Sequence, residues 1–135
     1  MKNRLFLGLL MTLFMLGGIA GATPKKDADK ILGKWKMSVT SYDGVLEIYA
    51  KEGKYYGKFV SLKDAYGDTV YDVIGMDLFT KVSYKGANEW SGGSLIDPRD
   101  NYTYKVKLKL EKDKLTLESY SGDMLGDTVE LSRVK

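Results

Sequence analysis

The stretch YTYKVKLKLEKDKLTLESY, residues 102–120, decides the fold class of this chain. From Tyr102 to Leu110, tyrosine, valine and leucine alternate with threonine and lysine. Side chains in a β-strand alternate between two faces, so this pattern predicts a strand with one buried and one solvated face. The pattern stops at residues 111–114 and resumes at Leu115, which predicts a hairpin.

Similar strand patterns recur along the chain, separated by short turns. Asp-Gly, Glu-Gly, Gly-Gly and Asp-Pro pairs mark turns or bends, and Tyr42–Gly44 is predicted to be one of these turns. Gly92-Gly93 predicts a bulge, and Asn101 suits a left-handed conformation. The predicted strands cover residues 34–40, 45–51, 54–62, 76–84, 89–96, 102–110, 115–120 and 127–134.

Eight evenly spaced strands without a helical period predict an all-β fold. Short hairpin connections favour an eight-stranded antiparallel up-and-down barrel, which leaves no open sheet edges. A barrel of eight strands is wide enough to be filled by side chains or to hold one small ligand. A β-sandwich is the alternative architecture.

The first 22 residues have the composition of an export signal. Lys2 and Arg4 precede an apolar run over residues 5–16, and Ala20 and Ala22 fit a signal peptidase site. The run is shorter than the roughly 20 residues that a retained membrane anchor needs. We therefore expect a signal peptide at 1–22, a linker at 23–32 that ends in a short helical turn, and a β-barrel domain at 33–135. The predicted location is periplasmic or secreted, with no stable membrane span after cleavage.

The composition excludes several classes of function. The chain has no Cys and no His, which removes most transition-metal sites and the commonest acid–base and nucleophile pairs. No cofactor and no metal are therefore predicted. Three aspartates between Lys63 and Gly75 lack the ligand spacing of a calcium loop, so a connecting loop is favoured.

The charge pattern gives no reason to expect a nucleic-acid partner. Without residues 1–22 the chain would keep 19 basic and 18 acidic residues, a formal charge of +1. Lys105, Lys107 and Lys109 form a stripe, but no aromatic residues alternate with them as a single-strand binder would need. The stripe is interpreted as the solvated outer face of a strand.

Short motifs spread over residues 33–134 resemble one family. They are Gly33-Lys34-Trp35, Tyr56-Gly57-Lys58-Phe59-Val60, Trp90-Ser91-Gly92-Gly93, Asp97-Pro98, Tyr104, Leu125-Gly126-Asp127-Thr128 and Ser132-Arg133-Val134. In this order they resemble the exported bacterial proteins of domain-of-unknown-function family 2147, which have a lipocalin-like (calycin) barrel. The chain departs from that pattern at Asn101, where Gly is usual, and at Leu131, where Trp is usual. It also lacks the proline that the resemblance leads us to expect in the loop at 63–75.

The resemblance implies a barrel and export, but no settled activity. In calycins a Trp and an Arg in the positions of Trp35 and Arg133 close one end of the barrel, with the cation over the indole. That role is structural, and a ligand anchor is the functional alternative. A cation–π contact of this kind contributes about 0.5–2 kcal/mol.

The sequence alone is compatible with three functions. The first is a non-catalytic barrel that binds a small apolar ligand, with Tyr55, Phe59, Trp90, Tyr102 and Tyr104 pointing inward. These rings could equally fill the barrel completely.

The second is a structural or protein-interaction component of the envelope that uses the lysine stripe and the tyrosines Tyr49, Tyr56 and Tyr120. The third is an enzyme with a carboxylate pair, Asp97 with Asp100 or Glu47 with Glu118. Catalysis is not expected, because most acidic residues fall at turns or on the wet face.

Overall fold

Alternating apolar residues place eight strands around one core in the computed structural model, which describes residues 26–135. A 3-10 helix, Asp27–Ile31, precedes the strands, at the position of the expected helical turn. The strands are β1 (Gly33–Val39), β2 (Tyr42–Lys51), β3 (Lys54–Asp64), β4 (Asp77–Gly86), β5 (Glu89–Ile96), β6 (Thr103–Glu111), β7 (Lys114–Ser121) and β8 (Met124–Arg133). A second 3-10 helix, Tyr71–Val73, lies between β3 and β4. The predicted signal peptide lies outside the described residues.

The strands form a closed antiparallel barrel in sequence order, β1 to β8. This confirms the all-β up-and-down barrel and rules out the sandwich. The seam between β1 and β8 is short, with three residue pairs from Trp35↔Arg133 to Met37↔Leu131, whereas β1 and β2 share seven. The remainder of both strands diverges toward the end of the barrel that carries the β1–β2, β3–β4, β5–β6 and β7–β8 connections. We call this end the open end.

Most turns lie where the sequence predicts them. Glu52 and Gly53 have positive φ in the two-residue turn between β2 and β3. Asn101 has φ 61°, as its residue type suggested. The β5–β6 register shifts between Ser91 and Ser94, which confirms the bulge predicted at the two glycines.

Two boundaries differ from the sequence prediction. Tyr42–Gly44 is not a turn but the start of β2, and the turn falls at residues 40–41. Gly44 is needed for close approach, because an added Cβ would lie 2.7 Å from the Ser61 carbonyl oxygen. Strand β8 also begins earlier than predicted, at Met124, because Ser121 and Met124 pair across a two-residue turn.

The tightly packed part of the core lies in the half of the barrel opposite the open end. Its largest fully buried side chains include two tryptophans and Phe79, surrounded by leucine, isoleucine and valine. Alternation carries the lysine stripe outward, since Lys105 and Lys109 are exposed while Val106 and Leu108 are buried. Burial of such apolar side chains supplies about 1.5–3 kcal/mol for each one, which makes this half a solid support for the open half.

Candidate functional site: a cavity at the open end of the barrel

The open half of the barrel contains a cavity of about 860 Å³. Binding pockets for small molecules have volumes of about 300–1,000 Å³, so this one is of suitable size. Its deep wall is apolar and consists of side chains from β1, β3, β4, β5 and β7, namely Met37, Phe59, Leu62, Leu78, Leu95 and Leu117. Each of these six is less than 9% exposed. Apolar molecules would therefore gain free energy by leaving water for this wall.

The cavity reaches the seam where β1 and β8 separate. Val39 from β1 and Thr128 and Val129 from β8 line it beyond the last pair of that seam. Ser119 is the buried polar residue of the lining, and its hydroxyl accepts a hydrogen bond from the Asp127 amide at 3.1 Å. The short seam thus gives the cavity a polar and less closed side.

Three charged side chains line the mouth of the cavity: Asp97, Arg99 and Asp127. Arg99 Nη2 donates to Asp97 Oδ2 at 2.6 Å and to Asp127 Oδ2 at 2.9 Å, and Arg99 Nε donates to Asp97 Oδ1 at 3.0 Å. These charged hydrogen bonds hold the pKa of Asp97 below its usual value and raise that of Arg99. Two carboxylates and one guanidinium give this cluster a formal net charge of −1.

The structure places the five residues that the sequence suggested as ligand contacts in different parts of the barrel. Phe59 lines the cavity. Tyr55 and Trp90 are buried in the solid half, where the Trp90 ring packs against Tyr84 with centroids 5.0 Å apart. These two rings fill the barrel below the cavity and do not line it.

The predicted inward orientation of Tyr102 is wrong. Tyr102 is 68% exposed, because β6 begins at Thr103 and the alternation of faces does not extend into the preceding loop. Asp100 holds this loop, accepting hydrogen bonds from the Tyr102 amide at 2.9 Å and from the Tyr104 hydroxyl at 2.7 Å. The bond to Asp100 raises the pKa of Tyr104 to about 12. Tyr104 is therefore a half-buried rim residue outside the cavity lining.

Trp35 and Arg133 lie together at the end opposite the cavity. The Arg133 guanidinium carbon is 4.3 Å from the centroid of the Trp35 ring, and Trp35 is fully buried. Trp35 Nε1 donates to the Ile31 carbonyl at 2.9 Å, and Arg133 Nη1 donates to the Leu32 carbonyl at 3.3 Å. These contacts tie the first strand, the last strand and the segment before β1 together across the closed end.

The remaining sequence candidates have ordinary partners. Glu47 forms a 3.9 Å ion pair with Lys58, and Glu118 accepts a hydrogen bond from the Tyr120 hydroxyl. Tyr56 is not exposed as predicted, because it stacks on Tyr49 and is 7% exposed.

Within residues 26–135 no group of three or more acidic side chains is placed to hold a metal ion. In that same part of the chain, no helix has the length and apolar character to span a membrane.

The sequence did not indicate most of the residues that line the mouth of the cavity. Arg99 lies between two aspartates in a predicted turn, a local signal that could have indicated an ion pair. Asp127 is 28 residues away from Arg99, and Tyr42 was placed in a turn, so neither had a local signal. Only closure of the barrel brings these residues to one opening.

Comparisons with known proteins agree with this fold. A family model described as an uncharacterized protein conserved in bacteria (DUF2147) matches residues 33–133. A solved structure, protein HP1028 from the human pathogen Helicobacter pylori, which is described as belonging to the lipocalin family, is similar with a TM-score of 0.66 and 18% sequence identity. The similarity covers 78% of this chain and 84% of that chain. A search of curated proteins found no match.

Proposed function

The chain belongs to the DUF2147 family of uncharacterized bacterial proteins, and we propose that it is an exported, non-catalytic barrel that binds a small, largely apolar molecule in the open-end cavity. The observation that carries the proposal is the cavity itself, with its apolar wall and its volume of about 860 Å³. The other half of the barrel is filled by side chains, so a barrel that served only for stability could have filled this half in the same way. Export is supported by the signal-like composition of residues 1–22.

The carboxylates near the cavity support a binding role over a catalytic one. Asp97 is held ionised by Arg99, which makes it a poor general acid at neutral pH. Asp100 is occupied by the Tyr102 amide and the Tyr104 hydroxyl. Both groups therefore serve to shape the mouth.

Blocking the cavity tests the proposal. Leu117→Trp introduces a larger side chain into the apolar wall from β7, whereas Thr116→Trp places the same side chain on the outer face of that strand. We expect the neutral fluorescent probe N-phenyl-1-naphthylamine to bind the purified protein saturably at one site. Leu117→Trp should weaken this binding at least tenfold, and Thr116→Trp should leave it unchanged.

Two controls keep the test decisive. Circular dichroism and thermal unfolding establish that each variant is folded, and Val129→Phe offers a second cavity-filling change on β8 if Leu117→Trp does not fold. Absence of probe binding, or equal binding by the inner and outer variants, would refute a cavity site. Export is tested separately by cell fractionation and by the N-terminal sequence of the exported protein, which should begin at Thr23.

A role as an interaction component of the envelope is the second candidate. Exposed apolar side chains gather at the open end, where Tyr66 is 90% exposed, Tyr71 80% and Met124 74%. Exposed apolar groups of this kind often mark contact surfaces. In-cell photocrosslinking from position 66 should give one defined product if this role is correct, with position 112 at the closed end as the control.

A further inference from the structure

Charge is segregated along the barrel axis. Residues 31–135 contain 16 acidic and 16 basic side chains. The four segments at the open end, residues 40–43, 63–76, 97–102 and 121–127, hold eight aspartates but only Lys63 and Arg99, a formal charge of −6. We call these segments the acidic rim. The other residues of 31–135 therefore carry a formal charge of +6, and the cavity opens at the negative end of the barrel.

The cation in the cavity lining is already engaged. Arg99 contacts both Asp97 and Asp127 through charged hydrogen bonds. An anionic head group would have to compete with these two carboxylates for one guanidinium, inside a rim of the same sign. A cationic head group would share Asp127 with Arg99, and the Asp127 side chain is 66% exposed beside the opening, so a second cation can reach it from the solvent side. The rim around it is negative, which favours a cation over an anion.

An aromatic ring at the mouth adds a second kind of attraction for a cation. Tyr42 lines the cavity at the start of β2, close to the Ser38–Asp43 hydrogen bond. Cations are drawn to the face of an aromatic ring, and ammonium groups are recognised in this way. The apolar wall below offers no partner for a charge, so the charged part of a ligand would stay at the mouth.

We propose that the ligand is an amphiphile with a cationic head group, whose apolar part occupies the cavity and whose ammonium lies between Tyr42 and the Asp97–Arg99–Asp127 cluster. The proposal rests on the proposed binding function and adds the chemical class of the ligand. The barrel would then discriminate between amphiphiles of equal chain length by the sign of their charge.

Three probes with the same chain test this selectivity: dodecylammonium, dodecanol and dodecanoate, each below its micelle concentration. We expect them to displace N-phenyl-1-naphthylamine in that order of affinity at low salt. The differences should shrink between about 0.1 and 1 M salt, because the screening length falls from about 10 to 3 Å. Asp127→Asn should weaken dodecylammonium about fivefold, the effect of one charge at roughly 4 Å in water, without changing dodecanol.

Glu111→Gln is the matched control, because it removes one negative charge at the closed end and should alter none of the three affinities. Dodecanoate binding as tightly as dodecanol would overturn the charge selectivity while leaving the cavity function intact. Equal weakening of dodecylammonium and dodecanol by Asp127→Asn would overturn it as well. Failure of all three probes, together with failure of the naphthylamine, would refute the binding function itself.

Discussion

Replacing Arg133 by methionine should destabilise the barrel more than the loss of any exposed ion pair. Methionine keeps an unbranched stem over the indole but removes the guanidinium. The lost terms are a cation–π contact over a fully buried Trp35 and a hydrogen bond to the Leu32 carbonyl. The 3.5 Å pair of Arg133 with Asp113 adds little, because the Asp113 side chain is 66% exposed.

The expected magnitude follows from these contacts. The cation–π contact contributes about 0.5–2 kcal/mol and the hydrogen bond about 1 kcal/mol, giving a loss of about 1.5–3 kcal/mol. For a barrel of this size that lowers Tm by about 6–12 °C. Urea denaturation followed by tryptophan fluorescence measures the free energy of unfolding directly, and differential scanning calorimetry gives Tm.

Two comparisons isolate the closure contact. Lys114→Met removes an exposed pair with Glu130 at 3.7 Å and should cost less than about 0.5 kcal/mol. A double-mutant cycle of Arg133→Met with Trp35→Leu should give a coupling energy of about 0.5 kcal/mol or more. A loss for Arg133→Met no larger than that of Lys114→Met, or a coupling near zero, would refute the reasoning.

Three further predictions concern single groups in the open half. Gly44→Ala places a Cβ 2.7 Å from a carbonyl oxygen of β3 and should lower the free energy of unfolding by about 1–3 kcal/mol in urea titrations; an unchanged midpoint would contradict the close approach. The pKa of Asp97 is lowered by Arg99, so its contribution to stability is present above the usual carboxyl pKa of about 4 and is lost as pH falls below it. Asp97→Asn should therefore lose less stability between about pH 5 and 2 than the natural chain, as acid unfolding monitored by circular dichroism will establish. The bond to Asp100 raises the pKa of Tyr104 to about 12, so its contribution is full below the usual value of about 10 and is lost as pH rises through 12. Absorbance at 295 nm should show one late-ionising phenol fewer in Tyr104→Phe, and an unchanged titration would disprove the assignment.

The amino-acid sequence by itself determined the fold class and most strand positions. Alternation is a local property of the backbone, so residues 102–110 could be assigned to a strand with buried Val106 and Leu108 without any knowledge of their partners. The strand itself runs from Thr103 to Glu111. Turn residues with positive φ, such as Asn101 and Gly53, were likewise fixed by their own stereochemistry. Motif order over residues 33–134 indicated the family, which the match over residues 33–133 confirms.

Only the tertiary structure decided where the cavity lies and what surrounds it. The alternation of residue types predicts that a side chain points inward, but it does not predict what the side chain contacts there. Trp90 packs in the filled half of the barrel, whereas Phe59 lines the cavity. That difference depends on strand register and on the short seam between β1 and β8, which are set by pairings between distant residues. The meeting of Arg99 with Asp127, and the gathering of aspartates at one end, arise in the same way. Closing the sheet converts charges scattered along the chain into a single acidic rim.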